Sequence, residues 1–392
     1  DLVIHGTTLA TNALIERKGA QTALLATDGF RDSIEIAYEH RFEQYDLYME
    51  RPQPLVTRNW RFSVPERIAA DGSVLLALDE VAVWSLADDL RETGVESIAI
   101  CFLHSYVNPA HEIRAGEILA EALPDIAITL SSDVCPEIRE YDRMSTASAN
   151  AYVQPMMATY LNRLEKGLLE IGVTSPLLMM MSSGGVTTVE TAAALPIRLV
   201  ESGPAGGAIL ACDIARGNDL DRVLSFDMGG TTAKITLIDD FEPHIARSLE
   251  VARMHRFLKG SGLPLRIPAI DMVEIGAGGG SIASVDTMQR IQVGPESAGS
   301  VPGPACYGNG GEEPTTTDAN LLLGRLSSRG LLDGDMGLDP ELSRRVYQPI
   351  AEQLNFTVEK TAQVEIRGRL ISVNIVKPPF VRFGKPVVDA NS

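Results

Sequence analysis

Two hydrophobic periods alternate along this chain. Short apolar runs at Thr22–Ala26, Glu96–Leu103, Ile126–Leu130 and Leu177–Met181 read as buried strands. Between them lie stretches with apolar residues three and four apart. Asp79–Thr93 carries Val83, Leu86 and Leu90 on one face and stops at Gly94, and Ala110–Ala122 follows the Asn108–Pro109 turn. Strand–helix–strand alternation with apolar strands predicts parallel strands covered by helices. At the start, Leu2–Ile4 reads as a strand end, followed by a helix through Leu14 and Arg17 that Thr7 or Thr8 can cap. Tyr141–Ile171 predicts one long helix with a weak point at Pro155, which cannot donate to a helix ladder. Asp71–Gly72 predicts a hairpin turn between Arg67–Ala70 and Val74–Leu78. Ser182–Gly185 reads as a strand-to-helix turn or a ligand loop.

From Val223 the period becomes two. Val223–Phe226 ends in Asp227, then Gly229, Gly230, Thr231 and Thr232 turn the chain, and Ala233, Ile235 and Leu237 alternate with Lys234 and Thr236. This predicts two antiparallel strands and a tight turn. The turn also has the makings of a phosphate site. Glycines let backbone N–H groups approach an anion, Thr hydroxyls donate, Lys234 adds charge, and Asp227 can hold a hydrated Mg²⁺. The spacing is neither G-x-x-x-x-G-K-[ST] nor G-x-G-x-x-G, so these residues alone fit a plain hairpin equally well. Downstream, Pro264–Ile267 and Ile270–Val273 are short runs flanking Pro268. Glu274–Ser281 supplies Gly276, Gly278, Gly279 and Gly280, as a ligand-wrapping or a structural loop. Thr315–Asn320 opens a helix with Asp318 or Thr317 as its expected cap.

Charge and cysteines narrow the class. The formal net charge of −18 is opposite to that of a nucleic-acid backbone binder. A site for an anionic nucleotide must therefore concentrate positive charge locally. At 392 residues, two domains are expected. No apolar run is long enough to span a membrane, and no signal peptide opens the sequence. Cys101, Cys135, Cys212 and Cys306 show no CxxC spacing, which fits a reducing cytoplasm. Cys306 reads either as a nucleophile without a nearby histidine or as a small buried thiol. The aromatic-rich stretch 40–80 reads as a surface excursion.

Just upstream of the hairpin, Glu201–Ala215 is a small-residue turn opening a helix. That pair in that order resembles the actin, Hsp70 and sugar-kinase superfamily, in which a small-residue connecting helix leads into a strand–Asp–Gly–Gly–Thr–strand phosphate loop. Further segments resemble one branch, the hydantoinase A and 5-oxoprolinase family: His5–Lys18, Asp28–Asp32, Cys101–Ser105, Glu274–Ile282, Val293–Ser297 and Pro302–Gly308, within a resemblance covering about residues 1 to 350.

The resemblance implies an α/β protein of two RNase H-like (actin-like ATPase) domains with an interdomain cleft. Residues 1–218 form the first domain and 219–363 the second, and 364–392 is an unmatched tail of reversed charge balance. It implies the ATP- and Mg²⁺-using subunit of a cyclic amidohydrolase, phosphorylating a hydantoin, 5-oxoproline or similar lactam for ring opening. A B-type partner would sit in a hetero-oligomer, with no nucleic acid or membrane involved. Asp227 and His5 become candidate catalytic residues, with Asp227 also orienting Mg²⁺ through water. Gly229, Gly230, Thr231, Thr232, Lys234, Gly278 and Gly279 become nucleotide-binding candidates, and Thr7, Thr8 and Glu201 substrate candidates. Alternatives are a subunit of an acetone or acetophenone carboxylase, or a non-catalytic scaffold subunit. Family members are longer at both ends, so a first phosphate loop is expected before Asp1 and an adenosine loop after residue 350.

Overall fold

The computed structural model describes residues 2–39, 41, 43–230, 232–254, 258–330 and 336–361, with the backbone of 381–382 and 385–386. The chain divides into two compact units, Asp1–Ile209 with Ile245–Ile270, and Leu210–His244 with Asp271–Ser392.

The first unit is built on a parallel sheet whose strand order is Arg61–Val64, Thr22–Thr27, Ser97–Cys101, Ala127–Leu130. Its two central strands are buried at every residue, which is why they read as unbroken apolar runs. Ala23, Leu25, Ile98 and Ile100 face the helices Glu80–Arg91 and Ala110–Ala122 through Val83, Leu86, Leu90, Ile118 and Leu119. Leu24, Ala26, Ala99 and Cys101 face the opposite way, against Met144, Ala147 and Ala151 of the long helix Glu140–Glu170. Alanines on both sides of that second contact let helix and sheet approach closely. The Asp79 carboxylate accepts from the Ala82 N–H at 3.0 Å and starts the first of these helices, while Gly94 turns the chain at φ +72°. The long helix runs on through Pro155.

A smaller sheet pairs Val3–His5 in parallel with Leu177–Met180, which pairs antiparallel with Val186–Thr188. Ser182–Gly185 therefore joins two strands, not a strand to a helix. It is tied down, because the Ser182 hydroxyl donates to Arg198 O and the Ser182 carbonyl accepts from the Ile270 N–H. A Cβ at Gly184 would lie 2.7 Å from Ile209, so the turn also packs too tightly for a side chain.

The unit boundaries differ from the expected step at residue 219. The first crossing falls at Ile209/Leu210, inside the helix Ser202–Gly217, and the segment 245–270 returns to the first unit. The return is driven by burial. Val251, Leu263, Leu265 and Ile267 join the core formed by Val153, Met157 and Leu161 of the long helix. The Arg266 N–H donates to Thr146 Oγ1, and its guanidinium pairs with Glu137 at 2.7 Å.

In the second unit, Arg222–Met228 and Ala233–Asp239 form an antiparallel hairpin, extended across Ala233–Asp239 by Met272–Ile275. A second hairpin pairs Ser281–Val285 with Ile291–Ser297. Helices Thr316–Leu322 and Pro340–Leu354 pack through Ala319, Val346, Tyr347 and Ile350. The cap of the first of these is Thr315, not Thr317 or Asp318. Asp318 occupies the third helical position, where its carboxylate accepts from the Thr315 N–H and completes a capping box. Apart from the backbone of 381–382 and 385–386, the tail expected at 364–392 lies outside the described residues.

Among the described residues no helix is long and apolar enough to cross a membrane, and no three His, Cys, Asp or Glu side chains cluster as metal ligands.

Candidate functional site

The hairpin of the second unit brings three charges into one row. Asp227 pairs across the ladder with Lys234, and Lys234 pairs on its other side with Glu274. Residues directly opposite on adjacent strands share a face, so Lys234 has an acidic residue opposite it on each neighbouring strand. Burial pulls the Lys234 ammonium below its ordinary pKa, and the Glu274 carboxylate opposes that pull. At the turn, the Gly229 N–H donates to Thr232 O at 2.9 Å. Among the described residues the N–H groups of Gly230 and Thr232 make no hydrogen bond, and Gly230 is exposed. Nothing lies within 4 Å of a Cβ built on Gly230, so the turn has open space on that side. Thr231 lies outside the described residues.

The glycine loop is laid directly against this turn. The Gly279 N–H donates to Gly229 O at 2.8 Å and the Gly280 N–H to Gly230 O at 2.7 Å. The Gly278 N–H donates to Ser281 Oγ at 2.8 Å. The N–H groups of Gly278 and Gly279 are thus engaged within the protein: Gly279, with Gly280, props the hairpin turn, while Gly278 closes its own loop onto Ser281. The absence of side chains makes that approach possible: a Cβ on Gly279 would lie 2.7 Å from Thr317 Oγ1, and one on Gly280 2.8 Å from Ser297 Oγ.

Behind the prop stands a buried carboxylate. Asp318 accepts from the N–H groups of Ala305, Cys306 and Thr315 and from the hydroxyls of Thr315 and Ser343. Next to it, Thr317 donates both its N–H and its hydroxyl to Gly279 O, at 2.8 and 2.9 Å. Asp318 is fully buried and ties the 302–308 loop to the helix start, and Thr317 ties the glycine loop to that same helix. Cys306 packs against it. Burial, with the Asp318 charge adding to it, pushes the Cys306 thiol up to about 12. That resolves the choice left by the sequence, because a thiol at neutral pH in a buried site is not an activated nucleophile.

The remaining candidates lie in the first unit. His5 ends the strand Val3–His5, and its Nε2 is 2.7 Å from the Tyr160 hydroxyl. Burial lowers the His5 pKa from 6.5. Thr7 is bound to Ser202 in both directions: its N–H donates to Ser202 Oγ at 3.0 Å, and that hydroxyl donates to Thr7 O at 2.9 Å. Thr8 occupies the cap position of the helix Leu9–Glu16, but its side chain makes no capping bond; Thr7 Oγ1 accepts from the Leu9 N–H instead. Glu201 stands at φ +62°, and its N–H donates to Thr11 Oγ1 at 3.0 Å. The His5–Thr8 turn and the start of the connecting helix are therefore joined. Sequence reasoning missed Tyr160, Ser202, Thr317 and Asp318 as site-building residues. Ser202 and Asp318 sit inside segments singled out by sequence, whereas nothing local marks Tyr160.

Comparison with known proteins places these motifs. Residues 143–372 match the family model described as hydantoinase/oxoprolinase, and residues 1–123 match its N-terminal region. The match extends nine residues into the tail expected to be unmatched from 364. The chain is 39% identical to the caprolactamase subunit alpha of Pseudomonas jessenii over 365 residues, 92% of this chain and 51% of that one. It is 31% identical to the acetophenone carboxylase gamma subunit of Aromatoleum aromaticum, covering 93% of this chain and 50% of that one. The crystal structure of the ATP-dependent caprolactamase from Pseudomonas jessenii superposes with a TM-score of 0.71 at 38% identity, over 92% of this chain and 52% of that one. A nucleotide-free structure of acetone carboxylase, described for ATP-dependent acetone carboxylation, gives 0.70 at 28% identity, over 92% and 51%. The chain spans about half the length of the curated relatives it matches.

Proposed function

The chain belongs to the hydantoinase/oxoprolinase family, and from that premise we propose that it is the nucleotide-handling part of an ATP-dependent cyclic amidohydrolase. On this reading its two units are the two RNase H-like domains of an actin-like ATPase. The observation that carries the reading is the propped hairpin: a Gly-Gly turn whose Gly230 and Thr232 N–H groups make no hydrogen bond among the described residues, backed by Gly279 and Gly280 and flanked by Asp227 and Lys234. These residues fit a nucleotide triphosphate with magnesium. Gly229, Gly230, Thr231 and Thr232 would lie along the phosphates, Lys234 would neutralise them, and Asp227 would hold a hydrated Mg²⁺ through water. Gly279 backs that cradle together with Gly280, and Gly278 holds the loop behind it through Ser281.

In the proposed reaction the lactam oxygen attacks the terminal phosphorus of ATP, and the bond to ADP breaks. Water adds to the ring carbon of the resulting phosphorylated imidate, the C–N bond breaks as the protonated nitrogen leaves as an amine, and a second water releases phosphate from the acyl phosphate so formed. Phosphoryl transfer needs positioning and charge stabilisation above all, which is what a rigid glycine cradle supplies. His5, Thr7, Thr8 and Glu201 are proposed on the substrate side, with His5 as the proton-handling group. Ring opening is assigned to a B-type partner in a hetero-oligomer, in line with relatives named as alpha and gamma subunits. The second reading, ATP-dependent carboxylation of a ketone, is favoured by the likeness to acetophenone and acetone carboxylases.

The deciding experiment is ATP turnover by this chain with a panel of lactams and ketones, with and without a B-type partner. Lactam-stimulated ADP release is expected. Stimulation by ketone and bicarbonate alone would shift the assignment to the carboxylases, and no stimulated turnover under any pairing would leave a scaffold subunit.

A further inference from the structure

His5 and Tyr160 meet from two anchored positions. His5 ends the strand Val3–His5 and lies opposite Met179, a fully buried residue of the neighbouring strand. Two residues on, Thr7 is bound to Ser202 in both directions. The backbone at His5 is thereby fixed, and the freedom left to the ring is that of its two side-chain torsions. Tyr160 stands on the long helix between Met157 and Leu161, both fully buried, and packs against the core that they belong to. Its hydroxyl lies 2.7 Å from His5 Nε2, with the ring centroids 6.1 Å apart. Among the described residues neither the His5 ring nor the Tyr160 hydroxyl makes any other hydrogen bond.

We propose that Tyr160 is a positioning residue for His5: its hydroxyl donates to Nε2, which holds the neutral imidazole in the form protonated at Nδ1 and makes Nδ1–H the open group of the ring. The direction of the bond follows from acidity and from the count of satisfied groups. A phenol is a stronger acid than the N–H of a neutral imidazole, so the phenol is the donor of the two. With the phenol donating, one group is left open, Nδ1–H. With Nε2–H donating, two are left open, the phenol hydrogen and the Nδ1 lone pair. Leaving a partly buried polar group unpaired costs more than one bond contributes, so the first arrangement wins. Which imidazole nitrogen carries the proton is set by the bond that the other makes. A histidine side chain free in water favours the opposite form, with the proton on Nε2, and the contact reverses that preference. What His5 then does to substrate rests on the proposed function, whereas its tautomer rests on the contact alone. On that reading a fixed Nδ1–H donates to an oxygen that gathers negative charge, and the neutral ring has no free lone pair with which to act as a base.

Nitrogen-15 NMR of this chain, labelled in histidine, reads the tautomer, because protonated and unprotonated ring nitrogens resonate far apart. Burial lowers the His5 pKa from 6.5, so at about pH 8 the ring is neutral. The His5 signals are identified by their loss in His5→Gln. The expected result is a protonated Nδ1 and an unprotonated Nε2. Tyr160→Phe keeps the aromatic ring and removes the hydroxyl, and should return His5 to the form with Nε2–H prevailing. Thr159→Ala, at the exposed neighbour on the same helix, should leave the His5 signals in place. With a B-type partner, lactam-stimulated ATP turnover by Tyr160→Phe should fall about tenfold in kcat with KM for ATP unchanged, the scale of an outer partner that orients a histidine. A protonated Nε2 in the unaltered chain overturns the proposal before any variant is made. A tautomer unmoved by Tyr160→Phe, or moved equally by Thr159→Ala, overturns it too, as does full turnover in Tyr160→Phe despite a changed tautomer. Stimulated turnover alongside any of these results removes Tyr160 and leaves the proposed function standing. The expected tautomers with no stimulated turnover in any pairing would keep the hold of Tyr160 on His5 and sink the proposed function.

Discussion

Asp227 and His5 are the residues to which the proposed chemistry gives the main roles, and each has a distinct signature. Asp227 is exposed at the end of its strand, opposite Lys234, so replacing its charge should spare the fold. Asp227→Asn is expected to weaken Mg·ATP binding about tenfold or more, the scale of one lost charge-assisted contact, with little change in Tm. Calorimetry with and without Mg²⁺ checks it, and an unchanged affinity would remove Asp227 from the metal role. For His5, burial lowers the pKa from 6.5, so the folded protein prefers the neutral imidazole. The sign follows: below pH 6.5 the unfolded chain takes up a proton before the folded one does. The part of stability that depends on His5 should fall as pH drops from 6.5 through the folded pKa. Proton NMR of the His5 ring should show a midpoint below 6.5; a midpoint above it would mean that a charged partner outweighs burial. Asp227 stood out in the sequence because it closes an apolar run just before a Gly-Gly turn, and His5 because its His-Gly-Thr-Thr segment resembles the family. Tyr160 carries no such mark, lying in the middle of an ordinary helix face.

Two elements make the cradle, and their contact is a matter of tenths of an ångström. Gly280→Ala puts a methyl 2.8 Å from Ser297 Oγ and 3.1 Å from Gly230 O, so the loop and the hairpin must separate. A cost of about 1–3 kcal/mol is expected, as for overpacking elsewhere. Gly230→Ala meets nothing within 4 Å and should leave stability near that of the wild type, while crowding the side of the turn proposed for phosphate. Thermal melts paired with ATP binding separate the two; equal destabilisation by both would show that the prop does not exist in solution. The sequence showed two glycine runs and their strands. It did not show that one supports the other, because hydrogen bonds between Gly279 and Gly229 depend on how two hairpins stack. The returning segment 245–270 teaches the same lesson. Leu265 is fully buried against the long helix, and Leu265→Ala should cost about 2–5 kcal/mol in the first unit although the residue follows the hairpin of the second. A loss under 1 kcal/mol in a denaturant melt would place the segment elsewhere.

For the whole molecule the governing quantity is a net charge of −18 against a proposed anionic ligand. Long-range repulsion slows the approach of ATP, and salt screens it over a Debye length of about 10 Å at 0.1 M. The association rate of ATP is therefore expected to rise a few-fold as monovalent salt goes from about 0.02 to 0.2 M, the reverse of a basic nucleotide binder. Stopped-flow mixing with a fluorescent ATP analogue measures it. A rate that falls with salt would mean that the field near Lys234 outweighs that of the rest of the protein.

Local periodicity determined the elements. Buried parallel strands, amphipathic helices, the Asp71–Gly72 turn and the 223–238 hairpin follow from spacings of two and of three to four residues, which depend only on backbone geometry. The family motifs were legible for the same reason, since each is a contiguous turn with its own chemistry. What joins the motifs was decided only in three dimensions. His5 meets Tyr160 across 155 positions, and Thr7 meets Ser202 across 195. The 245–270 segment crosses back to a core made by residues far earlier in the chain. Such contacts leave no local trace. A side chain satisfies its burial or its hydrogen bond against whatever surface packing delivers, and that surface exists only once the sheets and the long helix have assembled.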